Sequence, residues 1–216
     1  MKLLSLGETE ALVRKAARGA GRSWGMAEEA GRTARWLEAY GLPGAMLSAA
    51  LLEKTDGAAA APLAPQPDAA GVWRPGGAVL CPLAAGTALS DAARALPEDL
   101  RLGPVLCPLL ILPHLAAAAL QTGRSHALCW GDTRLTLTAL GALLPPEGAW
   151  PDQDRVARVT CRRDVRADAA PLARRHRAAA AQDTIRRLER LAERTYAPET
   201  ADRRLSGAGA GLTDND

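Results

Sequence analysis

The stretch HALCWGDTRLTL, residues 126–137, is the strongest local constraint in this chain of 216 residues. Gly131-Asp132 supplies a two-residue turn with glycine first, where a positive φ carries no side-chain penalty. That loop length fixes the register of a β-hairpin. Trp130 then opposes Thr133, Leu128 opposes Leu135 and His126 opposes Leu137 on one face, while Ala127, Cys129, Arg134 and Thr136 take the other. His126 therefore falls on the apolar face and reads as a core histidine. Strands are expected over 79–81, 105–112, 127–130, 134–138 and 156–161, with a helix over 113–121 between them. One pentapeptide recurs: Val-Leu-Cys-Pro-Leu stands at 79–83 and again at 105–109. Both copies read as a strand ending at cysteine, with proline opening a turn or helix.

The N-terminal fifth follows a different rule. Ser5-x-x-Glu8 is a capping box, in which the serine oxygen accepts from the amide three residues on and the glutamate reaches back. A helix over 6–18 follows, ended by Gly19 and Gly21. Ser23 caps a second helix over 24–40, stopped by Gly41 and Pro43, and a short third helix covers 45–53. Gly25 and Gly31 weaken the second helix relative to alanine, which predicts close approach of something to its backbone. The chain contains no Phe, so Leu, Val, Ala and five Trp must fill the core, and small residues allow close helix packing.

The segment 57–71, rich in Ala and Pro, reads as a linker or long surface loop. At the far end Asp168 is expected to cap a long helix over 169–194. The fold class is α+β: a helical N-terminal unit over 1–56, a linker over 57–75, a small mixed β region with a hairpin over 76–165, and a long C-terminal helix with a Gly-rich tail over 166–216. These are expected to form one compact domain. The net charge is +3, which by itself calls for neither nucleic acid nor a membrane. The charge is uneven, because twelve arginines face five acids between Arg155 and Arg194. Arg174, Arg175, Arg177, Arg186, Arg187 and Arg190 could touch nucleic acid, but no aromatics interleave with them.

The second helix concentrates candidate chemistry: Trp24, Glu28, Glu29, Arg32 and Arg35 crowd into three turns. Arg32 lies four residues from Glu28 and three from Glu29, so one guanidinium can bridge both acids. Glu28 or Glu29 would be the catalytic proton-transfer group, and Arg32 or Arg35 the anchor for a ligand carboxylate or phosphate. The same charges also read as a solvated face, with Ala27, Ala30, Ala34 and Leu37 turned to the core.

Cys81, Cys107, Cys129 and Cys161 lie far apart without a C-x-x-C pair, so neither a disulfide framework nor a metal site is indicated. Cys81-Pro82 or Cys107-Pro108 could place a thiol at a helix N-terminus, with His114 or His126 as base, although apolar cysteines more often pack as core. No P-loop, G-x-S-x-G or H-E-x-x-H is present, and no cofactor is specified. The start MKLLSLGETEAL is too short and too acidic for a signal peptide, and 104–120 is broken by three prolines, so a cytoplasmic protein is expected.

The segments SLGETEALVRKAARGAG, SWGMAEEAGRTARWLEAYGLPG and RTYAPETADRRLSGAGAGLTDND resemble an uncharacterised bacterial family known only as a domain of unknown function of about this length. The resemblance brings no fold, substrate or catalytic residue. It implies that the first two helices and the Gly-rich end are the recognisable parts. If the tail is such a motif, it returns to the first two helices, with Gly207, Gly209 and Gly211 allowing close contact and Asp214 joining Trp24, Glu28 and Arg32 around a pocket. The expected function is binding of a small anionic metabolite, with acid–base catalysis at Glu28 or Glu29. The alternatives are an accessory subunit gripping a partner enzyme and a weak nucleic-acid binder.

Overall fold

The computed structural model describes residues 1–146, 148–166 and 168–196. In chain order the elements are β1 (Lys2–Ser5), α1 (Leu6–Gly19), α2 (Trp24–Ala39), α3 (Gly44–Lys54), β2 (Pro65–Pro67), β3 (Trp73–Pro75), α4 (Pro82–Asp91), β4 (Asp99–Leu102), β5 (Val105–Leu106), α5 (Leu112–Thr122), β6 (His126–Trp130), β7 (Thr133–Leu137), β8 (Arg155–Val156), β9 (Val159–Arg163), β10 (Arg177–Ala180) and α6 (Gln182–Glu193). Short 3-10 turns at Ala61–Leu63, Ala93–Ala95 and Pro108–Ile111 complete the chain path. The class is α+β, with the helical N-terminus the sequence predicts.

The N-terminal helices begin and end where their caps place them. The Glu8 amide donates to the Ser5 hydroxyl at 3.1 Å and the Ser5 amide to the Glu8 carboxylate at 2.6 Å, so the capping box is complete. The Met26 amide donates to the Ser23 hydroxyl at 3.3 Å at the start of α2. α3 lacks a serine cap; instead the buried Glu38 accepts from the Ala45 amide at 2.9 Å. At the other end of α3 the buried Arg22 guanidinium donates to the Thr55 carbonyl, a cation set against a helix C-terminus. Gly31 explains how closely α2 lies on α1, because a Cβ there would stand 2.8 Å from the Glu10 carbonyl oxygen. Gly25 meets nothing within 4 Å, so the expected close approach holds for Gly31 alone.

The main sheet has six strands in the order β2-β3-β4-β9-β6-β7, antiparallel except at β3-β4. The hairpin β6-β7 has the predicted register, Trp130 to Thr133, Leu128 to Leu135 and His126 to Leu137. Pairing through β9 extends one of its rows into Leu100-Cys161-Leu128-Leu135, every member buried. That row joins Leu102, Trp130, Leu137 and Val159 of the sheet in a core filled mainly by leucine and alanine of the helices. The recurring pentapeptides lie side by side, joined by a parallel bridge from Leu80 to Val105, and each proline opens helical backbone.

Several expectations are corrected. The helix predicted over 169–194 is only Gln182–Glu193, and Asp168 caps nothing there. Arg177–Ala180 is instead a strand paired antiparallel with Lys2–Ser5, with Ala178 and Ala180 buried and Arg177 and Ala179 exposed. Alanine's helical propensity is a weak prior, and pairing with β1 overrides it. The strand expected at 79–81 is a single bridge, and the one over 105–112 ends at Leu106 because Pro108 turns the chain into helix. The last expected strand lies later, at Val159–Arg163. Within the predicted linker, Pro65–Pro67 and Trp73–Pro75 form the outer hairpin of the main sheet.

Candidate functional site

A helix advances 100° per residue, so neighbouring side chains leave it in different directions. On α2 this separates the predicted site residues into two cavities. Trp24 and Glu28 face a cleft of about 710 Å³ that α1 and the end of α6 close from the other side. Glu29, Arg32, Thr33 and Trp36 face a smaller pocket of about 240 Å³, closed by α4 and α5. The prediction that Arg32 bridges both acids is thus corrected: Arg32 pairs with Glu29, while Glu28 takes Arg14 at 3.3 Å. Arg35 reaches neither cavity and pairs with Glu10 at 2.8 Å. The predicted grouping of Trp24, Glu28 and Arg32 is likewise overturned, since Arg32 opens onto the opposite side of the helix. Gly207, Gly209, Gly211 and Asp214 lie outside the described residues.

The larger cleft is basic and aromatic. Arg14, Lys15, Arg18 and Arg194 line it, opposed within the lining by Glu28 alone. Trp24 is 70% exposed, with the Arg18 guanidinium 4.3 Å from its ring centroid; the Lys15 ammonium stands 5.8 Å from the Tyr196 ring centroid. Arg194 is partly neutralised by Asp56 at 2.7 Å. Arg14 and Arg18 are one turn apart on α1, a spacing that the sequence displays but that gains meaning only once α2 and α6 stand beside it.

The smaller pocket is built around His114 of α5, which is 4% exposed. Its Nε2 lies 3.1 Å from the Thr33 hydroxyl and its Nδ1 3.9 Å from a Glu29 carboxylate oxygen. Burial, reinforced by the Arg32 charge, pulls the imidazole pKa down to about 4, so the ring is neutral at physiological pH. The 3.9 Å separation is too long for a hydrogen bond, and Glu29 is already engaged by Arg32. His114 was weighed in the sequence only as a base for cysteine. Its true partners are 81 and 85 residues away in the chain. His126 is indeed core; its Nδ1 lies 2.9 Å from the Arg124 carbonyl, but its buried Nε2 has no partner.

The cysteine alternative loses its premise. All four thiols are free, and burial raises the pKa of each, that of Cys107 to about 11, which disfavours the thiolate a nucleophile requires. The arginine-rich helix is shorter than expected, and of the six arginines Arg186 and Arg190 stay exposed on α6. Arg187 and Arg194 are paired with Glu53 and Asp56, and Arg174, Arg175 and Arg177 precede α6 altogether. Among the described residues no three His, Cys, Asp or Glu side chains gather to hold a metal ion, and no helix is long and apolar enough to cross a membrane.

Residues 4–74 match the family model described as a protein of unknown function, DUF3726. The matched stretch contains α1, α2 and α3, hence the α2 wall of both cavities and the α1 wall of the basic cleft. It does not contain His114 or α6. No curated protein and no solved structure matches the chain.

Proposed function

We propose that this protein binds a small anionic metabolite in the cleft between α1, α2 and α6. The observation that carries the reading is the convergence of Arg14, Lys15, Arg18 and Arg194 on one concave space whose lining, among the described residues, contains a single acid, Glu28. Charge-assisted hydrogen bonds from guanidinium groups to carboxylate or phosphate oxygens are the strong polar contacts available to a protein surface. Trp24 and Tyr196 supply flat apolar walls beside those donors. Four free thiols, three of them buried, suit the reducing cytoplasm. Calorimetric titration of the full chain with citrate and with pyrophosphate tests the reading. Binding should weaken as salt rises, and the double variant Arg14→Ala/Arg18→Ala should lose about tenfold or more in affinity, roughly 1.4 kcal/mol. Absence of binding to either anion, or binding indifferent to the double variant, would overturn it.

A second reading, docking to a partner protein, has one observation in its favour. Met1 and Leu3 are strongly exposed, Met1 sharing a hollow with Met46, and Leu3 lies on β1, whose pairing among the described residues is with β10 alone. A Leu3→Lys variant that keeps its stability but no longer co-purifies with a partner would support it.

A further inference from the structure

The pocket on the opposite side of α2 has a construction that packing alone does not explain. Gly86 of α4 faces the His114 ring, and a Cβ there would lie 2.3 Å from its Cδ2, so the ring occupies space that any other residue would fill. A nearly fully buried imidazole has one nitrogen tied to Thr33, while the other reaches no hydrogen-bond partner and shares the pocket with Glu29 and Arg32. The Thr87 hydroxyl, also in the lining, is buried with no partner. Buried polar atoms in native proteins are normally satisfied, and those left over ask for an explanation. Among the described residues, one such hydroxyl and an imidazole nitrogen without a hydrogen-bond partner, on one cavity beside an arginine, describe a space shaped for a polar occupant.

We propose that this pocket is a second binding site, for a small oxo- or hydroxy-carboxylate, in which Arg32 takes the ligand's carboxylate and His114 Nδ1 meets its oxo or hydroxyl oxygen. The volume of about 240 Å³ lies below the ~300–1,000 Å³ typical of larger ligands and limits the occupant to a few carbons. Arg32 is free to change partners, because it sits at the rim with a 60% exposed side chain and is held only by Glu29 three residues away. The neutral ring serves either ligand chemistry. A ligand oxo group is met by Nδ1–H while the Thr33 hydroxyl donates to Nε2. A ligand hydroxyl is met by an Nδ1 lone pair while Nε2–H donates to Thr33. Glu29, released when Arg32 turns to the ligand, then stands with Asp91 as a carboxylate in the lining beside the bound molecule. The acid–base role expected of Glu28 or Glu29 falls to Glu29.

The pocket shares no lining residue with the basic cleft, so the two can fail separately. The test uses full-length protein labelled with 15N-histidine, titrated with pyruvate and with glycolate, the His114 ring nitrogens being followed by NMR. Saturable shifts are expected, with opposite tautomers favoured by the two acids. Arg32→Gln, at an exposed position, should weaken the response tenfold or more, whereas Arg14→Ala/Arg18→Ala should leave it unchanged. Thr33→Val should abolish the difference between the two acids. Ring resonances unmoved by either acid, or moved equally in Arg32→Gln, would overturn the proposal.

Discussion

Glu28 and Glu29 are adjacent in sequence, but the protein gives them opposite surroundings. Glu28 looks into a wide, wet, basic cleft and is one acid among four cations. Glu29 looks into a narrow pocket where a neutral imidazole, a buried hydroxyl and a single arginine surround it. The cleft works by accumulated charge, which tolerates many anions and depends on salt. The pocket works by a few fixed hydrogen-bonding groups, which discriminate shape and protonation. The difference shows that a cluster of charges on a helix is not a site; the site is decided by what packs against each side of that helix.

The contrast can be broken from the pocket side first. His114 is kept neutral in the fold, so the folded state resists a proton that the unfolded chain accepts near pH 6.5. The fold carries no penalty from His114 above pH 6.5 and loses stability as pH falls towards 4, by roughly 3 kcal/mol in all. Urea denaturation at stepped pH should show that loss in the native protein. His114→Gln should remove that part of the acid limb. Next in size, Gly86→Ala should destabilise by about 1–3 kcal/mol, because the ring has no room to retreat. It should also disturb the His114 resonances while citrate binding in the cleft is unchanged. The smallest effect sharpens the comparison from the other side. Glu28→Gln removes the one acid lining the cleft among the described residues and should raise affinity for citrate about two- to threefold, without altering His114.

Much of the helical half was legible, for a local reason. Ser5 with Glu8, and Ser23, satisfy amides within one turn of themselves, so their effect does not wait on tertiary structure. The hairpin was legible because a two-residue turn leaves one register. Arg177–Ala180 was not, since nothing in RAAA announces that its partner is Lys2–Ser5 at the other end of the chain. The twin pentapeptides mark the limit of local reading. Cys81 has φ −72° at the start of α4, whereas Cys107 is held left-handed at φ 41°, with its amide bonded to the Asp154 carbonyl at 2.8 Å. Identical neighbours gave different backbones because distant residues differ. The pocket was illegible for the same reason. Thr33 and Glu29 were visible as helix residues, but the histidine that gives them purpose arrives from α5.

That α2 forms a wall of both cavities has a thermodynamic consequence. Gly31 sets α2 tightly against α1, so a shift of the helix would be felt on both of its faces. Any ligand that displaces it on one face repositions the groups on the other. By reciprocity, whatever coupling such a shift carries between the two chambers is the same in both directions.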